Sequence, residues 1–296
     1  MRAAVVTAFG GPEVVEVVEI DVPEPGAGQI RIKVAAAALN PVDAGVRVGV
    51  FGGAGERLGL GWDVAGTVDA VGVGAGWAVG DQVVALSYGP VKSLGTHADY
   101  VVVDADAVAL APASIDAVHA ATLPLNALAA AQALDLLALE AGQSLLVTGA
   151  AGAVGGYAVQ LAVHRGLSVT ALARDADEAL VRSLGAGSFV SGEVAPGSVD
   201  AVLDAAIVGD AALEWVRDGG GFVAVIPHTE PASVRGVRTA AVEVSADGAR
   251  LAELVALVDE GVLTARVADT FALADVVKAH ARLAEGGVRG RLVLVP

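Results

Sequence analysis

The sequence predicts an α/β protein in two parts, a compact β-rich part followed by a parallel sheet with crossing helices. Three observations carry this. First, the opening third breaks into short Val-rich segments split by Gly, Pro and Asp: "RAAVVTAFG", "EVVEVVEI", "QIRIKVAAAAL", "DVAGTVDAVG", "DQVVALS" and "HADYVVVDADAVAL". Such spacing suits a mostly antiparallel domain. Second, from about Ser114 the pattern changes to alanine-rich helical runs alternating with buried strands. The strands expected there are "SLLVTGA", "LSVTALAR", "SFVSG", "VDAVLDAA" and "GGFVAVIP". Third, in residues 145–162, "LLVTGAAGAVGGYAVQLA", an apolar run stops at a cluster of glycines and alanines before a helical pattern. Near the end, "TFALADVVKAHARLAEGG" reads as a helix and "GRLVLVP" as a last strand.

Composition narrows the class. The chain has 296 residues, enough for two domains and a large core. Hydrophobic residues make up 55%, yet aromatics are only 4%, so Ala, Val and Leu dominate. The most apolar long stretch, 117–139, is interrupted by His119, Pro124, Asn126, Gln132 and Asp135. A membrane span needs about 20 nearly unbroken apolar residues, so none is expected. The early apolar run is broken at once by Gly10, Gly11, Pro12 and Glu13, and no secretory leader is expected. Net charge is −16, from 18 basic and 34 acidic side chains, which argues against nucleic acid as a partner. Without cysteine there is neither a disulfide nor a thiolate metal site, in keeping with the cytoplasmic location we expect.

The glycine turn has the spacing A-x-G-x-x-G at Ala150, Gly152 and Gly155. Between a strand and a helix this spacing suits a dinucleotide: the first position turns the chain, the second lets backbone approach the pyrophosphate, the third lets helix and strand pack. Ala150, Ala151, Gly152, Ala153, Val154 and Gly155 are the expected cradle, with N–H groups at the helix start facing the phosphates. The plain alternative is a tight turn. The next strand ends at Arg174, where an NAD site would place an acid for the ribose hydroxyl. A guanidinium there suits a 2′-phosphate and hence NADPH. Two other readings stand beside it: an exposed loop arginine, or Asp175 serving as the acid.

Taken together, these residues resemble one family, the zinc-independent quinone oxidoreductases (zeta-crystallin-like) of the medium-chain dehydrogenase/reductase superfamily. The resemblance rests on "AAALNPVDAGVRVG", "GWDVAGTVDAVGVGAGWAVGDQVVAL", "GTHADYVVVDADAV", "GAAGAVGGYAVQLA" and "AHARLAEGGVRGRLVLVP", in that order. It implies a GroES-like β-rich substrate domain over residues 1–113 and 265–296. A Rossmann-type domain with a doubly wound parallel sheet would occupy 114–264. Zinc-dependent relatives carry a G-H-E motif where this chain has "GWDVAG", and a Cys cluster that it lacks, so the resemblance implies no metal. Without a Lewis acid, NADPH-dependent reduction of a quinone or of the activated C=C of an enone becomes the expected chemistry.

For the site, the resemblance implies that Asn40 faces nicotinamide and substrate, although its amide would equally satisfy a buried turn. Asn126 would lie near the nicotinamide, compensating for Ala129 and Ala131 where the family has Thr and an aromatic residue. Pro227 and His228 follow a strand end and are expected to meet the cofactor. Arg47, Phe51, Trp62 and Tyr88 are the expected substrate pocket, Trp62 standing where the zinc-ligand His would lie. Tyr88 and Asn40 are the expected catalytic donors, while His97 and His228 are weaker proton-donor candidates. The resemblance also implies a homodimer. Two rival functions remain open: an enoyl-thioester or natural-product tailoring reductase, and a non-catalytic NADPH sensor.

Overall fold

The structure is a computed structural model that describes residues 1–53 and 55–296. It forms two compact units, residues 1–125, 245–259 and 265–296, and residues 126–244 with 260–264.

The first unit is β-rich. Its early strands are β1 (Arg2–Val6), β2 (Val15–Glu19), β3 (Gln29–Leu39), β4 (Leu58–Gly59), β5 (Asp63–Val71), β6 (Gln82–Leu86), β7 (Tyr100–Asp104) and β8 (Val108–Leu110). β1 is flanked by β2 and β4 in a small antiparallel sheet. β3 is the hub of the larger sheet, pairing antiparallel with both β5 and β7. It alternates buried Ile30, Ile32 and Val34 with outward residues, as a strand with one covered face should. After β3, Asn40 leads into the short helix α1 (Pro41–Arg47), whose first residue is proline, where a missing N–H costs nothing.

The second unit holds a six-stranded parallel sheet: β9 (Ser144–Thr148), β10 (Ser168–Leu172), β11 (Ser188–Val190), β12 (Val199–Asp204), β13 (Val216–Ala224) and β14 (Arg238–Ala241). The spatial order is β11-β10-β9-β12-β13-β14. Numbered within the sheet this is 3-2-1-4-5-6, the doubly wound Rossmann order, with its switch point between β9 and β12. Leu146, Val202, Phe222 and Val237 fill its core. The chain then returns to the first unit with β15 (Val267–Ala272) and β16 (Arg291–Val295), β16 pairing with β3.

Three details differ from the sequence reading. β14 was not anticipated: "RTAA" has no run of branched residues, and it is an edge strand made by pairing with β13. The helix expected from Thr270 begins only at Val276, because Thr270–Ala272 pair with Val293–Val295. The helix Gly248–Asp259, expected with the cofactor half, packs on β8 in the first unit. A Cβ at Gly248 would stand 2.5 Å from the carbonyl oxygens of Asp106 and Val108, so glycine permits that contact. The Asp259 carboxylate then accepts the N–H groups of Ala113 and Ser114 at 3.2 and 2.9 Å.

Candidate functional site

In the second unit, parallel strands bring four loops to one carboxyl edge. The loop after β9 turns at Gly149, whose φ of +57° favours glycine. Gly152 caps the helix Ala153–His164, and its N–H returns to the Gly149 carbonyl at 2.8 Å. A Cβ at Gly155 would lie 2.3 Å from the Gly149 oxygen, whereas at Gly152 it would meet that oxygen at 3.1 Å. Thus Gly155 is demanded by helix-on-strand packing, and Gly152 keeps the turn open. Ala150, Ala151 and Ala153 are buried, and Gly152 and Val154 are half-buried. The first helical N–H groups, which have no intrahelical acceptor, are therefore presented at the turn. These are features that a pyrophosphate cradle needs.

Arg174 lies two residues beyond β10, exposed, with no ion-pair partner among the described residues. Its carbonyl accepts the Asp177 N–H at 2.8 Å, and the neighbouring Asp175 is also exposed. Pro227 and His228 are exposed in the turn after β13, with φ of +66° at His228. Asn126 is fully buried on the helix Pro124–Leu137, as are Ala129 and Ala131.

Across the switch point, sequence reading missed a pair. Thr148 Oγ1 donates to Asp204 Oδ1 at 2.6 Å and accepts the Ala206 N–H at 3.0 Å. Asp204 also accepts the N–H groups of Val208 and Gly209 at 3.1 and 2.9 Å. This pair pins the loop after β12 beside the glycine turn, where a Cβ on Gly149 would stand 3.2 Å from the Ala205 oxygen. The only signal in the sequence was a polar residue ending each of two apolar strands.

In the first unit the polar groups come from separate segments. Asp43 accepts the Asn40 N–H and, from another segment, the Gly61 N–H, both at 2.8 Å. Gly61 has φ of +99°, and a Cβ there would strike Thr96 Oγ1 at 2.4 Å, which fixes the turn leading to Trp62. Asn40 Nδ2 donates to Asp63 Oδ2 at 2.6 Å, and the Leu125 N–H donates to Asp63 Oδ1 at 2.5 Å. Asn40, Asp43 and Asp63 are all completely buried. Burial pushes the Asp63 carboxyl up to about 7 against the pull of the Leu125 and Asn40 hydrogen bonds and of Arg291, with Asp43 adding to the rise. The Asn40 amide therefore joins its turn to the start of β5.

Trp62 is 5% exposed and meets Tyr88 edge to face, ring centroids 5.3 Å apart at 83°. Tyr88 is 48% exposed and Phe51 is 42% exposed. Lys92, which the sequence reading passed over, places Nζ 5.3 Å from the centre of the Trp62 ring. The ammonium donates to the Ser87 carbonyl at 2.6 Å and to Ser87 Oγ at 3.2 Å. Burial lowers its pKa to about 8, although Asp43 and Asp63 hold the charge.

Arg47 lies inside this unit, 6% exposed, with Nε and Nη1 lacking hydrogen-bond partners. His97 is buried, and its Nε2 faces the Ala38 carbonyl at 3.0 Å. His280 is buried too, and burial, with the nearby charges of His97 and Arg47, takes its pKa down to about 3. These three groups are buried in the interior of the first unit.

Comparison with known proteins agrees with this architecture. Residues 26–113 match the alcohol dehydrogenase GroES-like domain, and residues 174–294 match the zinc-binding dehydrogenase family. The chain is 39% identical over 255 residues to the NADPH-dependent alkenal/one oxidoreductase, chloroplastic, of Arabidopsis thaliana, an alignment covering 81% of this chain and 66% of that protein. It is 32% identical over 317 residues to the 2-methylene-furan-3-one reductase of Solanum lycopersicum, covering 100% of this chain and 79% of that one. The solved quinone oxidoreductase of Coxiella burnetii superposes with a TM-score of 0.88 at 28% identity, covering 100% of this chain and 99% of that chain. With a GroES-like unit, a 3-2-1-4-5-6 parallel sheet and these relatives, the chain belongs to the quinone oxidoreductase family of the medium-chain dehydrogenase/reductase superfamily.

Proposed function

We propose that this protein is an NADPH-dependent oxidoreductase that reduces a quinone or the activated C=C of an enone without zinc, as a cytoplasmic homodimer. The observation that carries the reading is the glycine turn at residues 150–155 together with an exposed Arg174, which has no ion-pair partner among the described residues, on the same carboxyl edge. That pairing suits a dinucleotide bearing a 2′-phosphate. The names of the Arabidopsis and tomato relatives support the acceptor class.

NADPH, when bound, supplies the hydride. The residues of this chain do the rest. The first-turn N–H groups of the helix Ala153–His164 hold the pyrophosphate. Arg174 pairs with the 2′-phosphate, and the exposed Pro227 and His228 complete the cofactor contacts. Within the first unit, Asn40 holds its own turn to Asp63. Trp62 and Tyr88, packed edge to face, offer an aromatic wall to the acceptor, Phe51 is a further exposed ring for its pocket, and the Tyr88 hydroxyl donates to the acceptor's carbonyl oxygen. Zinc does not suit this donor set. The chain has no cysteine, Trp62 stands beside Asp63, and both Asp63 oxygens already accept hydrogen bonds.

The test is loss of NADPH absorbance against a panel of quinones, enones and acyl thioesters, with NADH in parallel. Turnover of quinones or enones, faster with NADPH, is the expected result. Turnover of acyl thioesters alone would assign the protein to thioester reduction. Tight NADPH binding with no turnover of any acceptor would replace the enzyme with a sensor. Light scattering from the purified protein tests the dimer.

A further inference from the structure

Lys92 is the group in the first unit that this chemistry has not used. The chain has three lysines among its 18 basic residues, and two of them, Lys33 and Lys278, are exposed. Lys92 is half-buried, in a loop held by its own carbonyl, which accepts the Gly59 N–H at 2.8 Å. Its side chain turns back towards Ser87, giving two protons to the Ser87 carbonyl and hydroxyl. An ammonium has three protons, so one is left undirected. The face of Trp62 lies 5.3 Å from Nζ, and Tyr88 stands against the edge of the same indole. A cation over indole is held electrostatically. The result is an amine fixed at the aromatic wall with a proton to give.

We propose that Lys92 is the proton donor in the reduction, delivering a proton from Nζ to the acceptor as charge develops on it. The assignment rests on the reading of Trp62 and Tyr88 as the substrate wall. In an enone, the electron pair delivered to the β-carbon forms a C–H bond there and moves the π pair onto the α-carbon and the carbonyl oxygen. One N–H bond of Lys92 then breaks, and a C–H or O–H bond forms on that enolate. The neutral amine is left and takes its proton back from water, so the net reaction consumes one hydride and one proton.

The environment suits the task. Burial takes the Lys92 pKa down to about 8, close to the pH at which it would work. Around it, Asp43 from α1 and Asp63 from β5 favour the charged form, and buried His97 also feels the ammonium charge. An arginine in this place would keep the charge but could not release the proton.

The experiment has two arms. In the first, kcat/KM and kcat are measured from about pH 6 to 9.5 for the wild type, Lys92→Met and Lys92→Arg, alongside NADPH affinity from nucleotide fluorescence. The wild type is expected to lose activity above pH 8. Both variants should lose that limb and fall about 100-fold in kcat, the usual worth of a positioned acid, with NADPH affinity unchanged. In the second, trace acetic anhydride labelling with peptide mass spectrometry titrates Lys92 in the wild-type protein, with Lys33 and Lys278 as internal controls. Lys92 is expected to titrate near 8, well below both. Wild-type turnover with a Lys92→Met variant within about threefold of it and an unmoved basic limb would overturn this assignment, as would Lys92 titrating with the controls. Failure of the wild type to reduce any acceptor would instead overturn the functional reading on which it rests.

Discussion

At the carboxyl edge of the six-stranded sheet, the candidate binding groups are the backbone N–H groups that open the helix Ala153–His164, at the end of one contiguous turn. In the first unit, the polar groups are side chains from separate segments: Asn40 and Asp43 after β3, Asp63 at the start of β5, Ser87 and Tyr88 after β6, and Lys92 beyond. The two regions also treat charge differently. At that edge Arg174 is exposed, with no ion-pair partner among the described residues, whereas the first unit buries Asp43, Asp63 and His280 completely or nearly so. A backbone site depends on having no side chain in the way. A buried side-chain site depends on every polar group keeping its partner, so the two should fail by different routes.

The sharpest break concerns the missing side chain. Gly155→Val puts atoms where a single Cβ already stands 2.3 Å from the Gly149 oxygen. Loss of NADPH affinity by about 100-fold or more is expected, because overpacking here forces the helix off the strand. Gly192, whose Cβ would meet nothing within 4 Å, provides the control: Gly192→Ala should bind as the wild type does. Fluorescence titration decides, with circular dichroism to report the fold. Equal affinities for both variants would sink the packing argument.

In the first unit the corresponding break is Asp63→Ala, which strands the Asn40 amide and the Leu125 N–H. Two orphaned buried donors should cost about 2–5 kcal/mol in urea unfolding. Asp63→Asn keeps one acceptor in place and should cost less. If Ala and Asn proved equally mild, the bonds would carry no stability.

Titration sharpens the contrast. Asp63 has its folded pKa raised from 3.8 to about 7, so its contribution is present at low pH and lost as pH rises through 7. His280 has its folded pKa lowered from 6.5 to about 3, so its contribution is present above 6.5 and lost as pH falls towards 3. On going from about pH 7.5 to 5.5, Asp63 should add stability and His280 remove it, each on the order of 1–2 kcal/mol. The two contributions therefore oppose one another across that interval, with buried His97, whose pKa is also lowered, on the His280 side. His280→Leu should gain stability on acidification and Asp63→Asn should lose it. Urea midpoints at the two pH values measure this, and parallel profiles for all three proteins would refute it.

The smallest expected effect tests Arg174. Arg174→Ala removes one charge-assisted contact, so preference for NADPH over NADH should fall about tenfold, roughly 1.4 kcal/mol. Unchanged preference would return Arg174 to the ordinary exposed loop residue that was its other reading.

The glycine turn was readable because its shape follows from spacing: small residues at 150, 152 and 155 leave one backbone path, that of a strand-turn-helix. The Val-rich alternation of β3 was readable for the same reason, since its period is local. β14 was not, because "RTAA" becomes a strand only through β13 beside it. Nor was Lys92, a single lysine in a Gly- and Pro-rich loop, whose partners Ser87 and Trp62 lie five and thirty residues earlier. Nor was the burial of Arg47, read as part of a substrate pocket, which the fold leaves 6% exposed and close enough to His280 for its charge to be felt there.

By itself, then, the sequence determined the two-part α/β architecture, the glycine turn and the placing of Arg174 just past a strand, since each is encoded by residues within a few positions of one another. Only the tertiary structure decided that Asn40 is tied to Asp63, that Thr148 and Asp204 pin the loop at the switch point, and that Lys92 stands over Trp62. Those contacts join residues up to 56 positions apart, and burial, which sets their charge states, is a property of the whole packed unit.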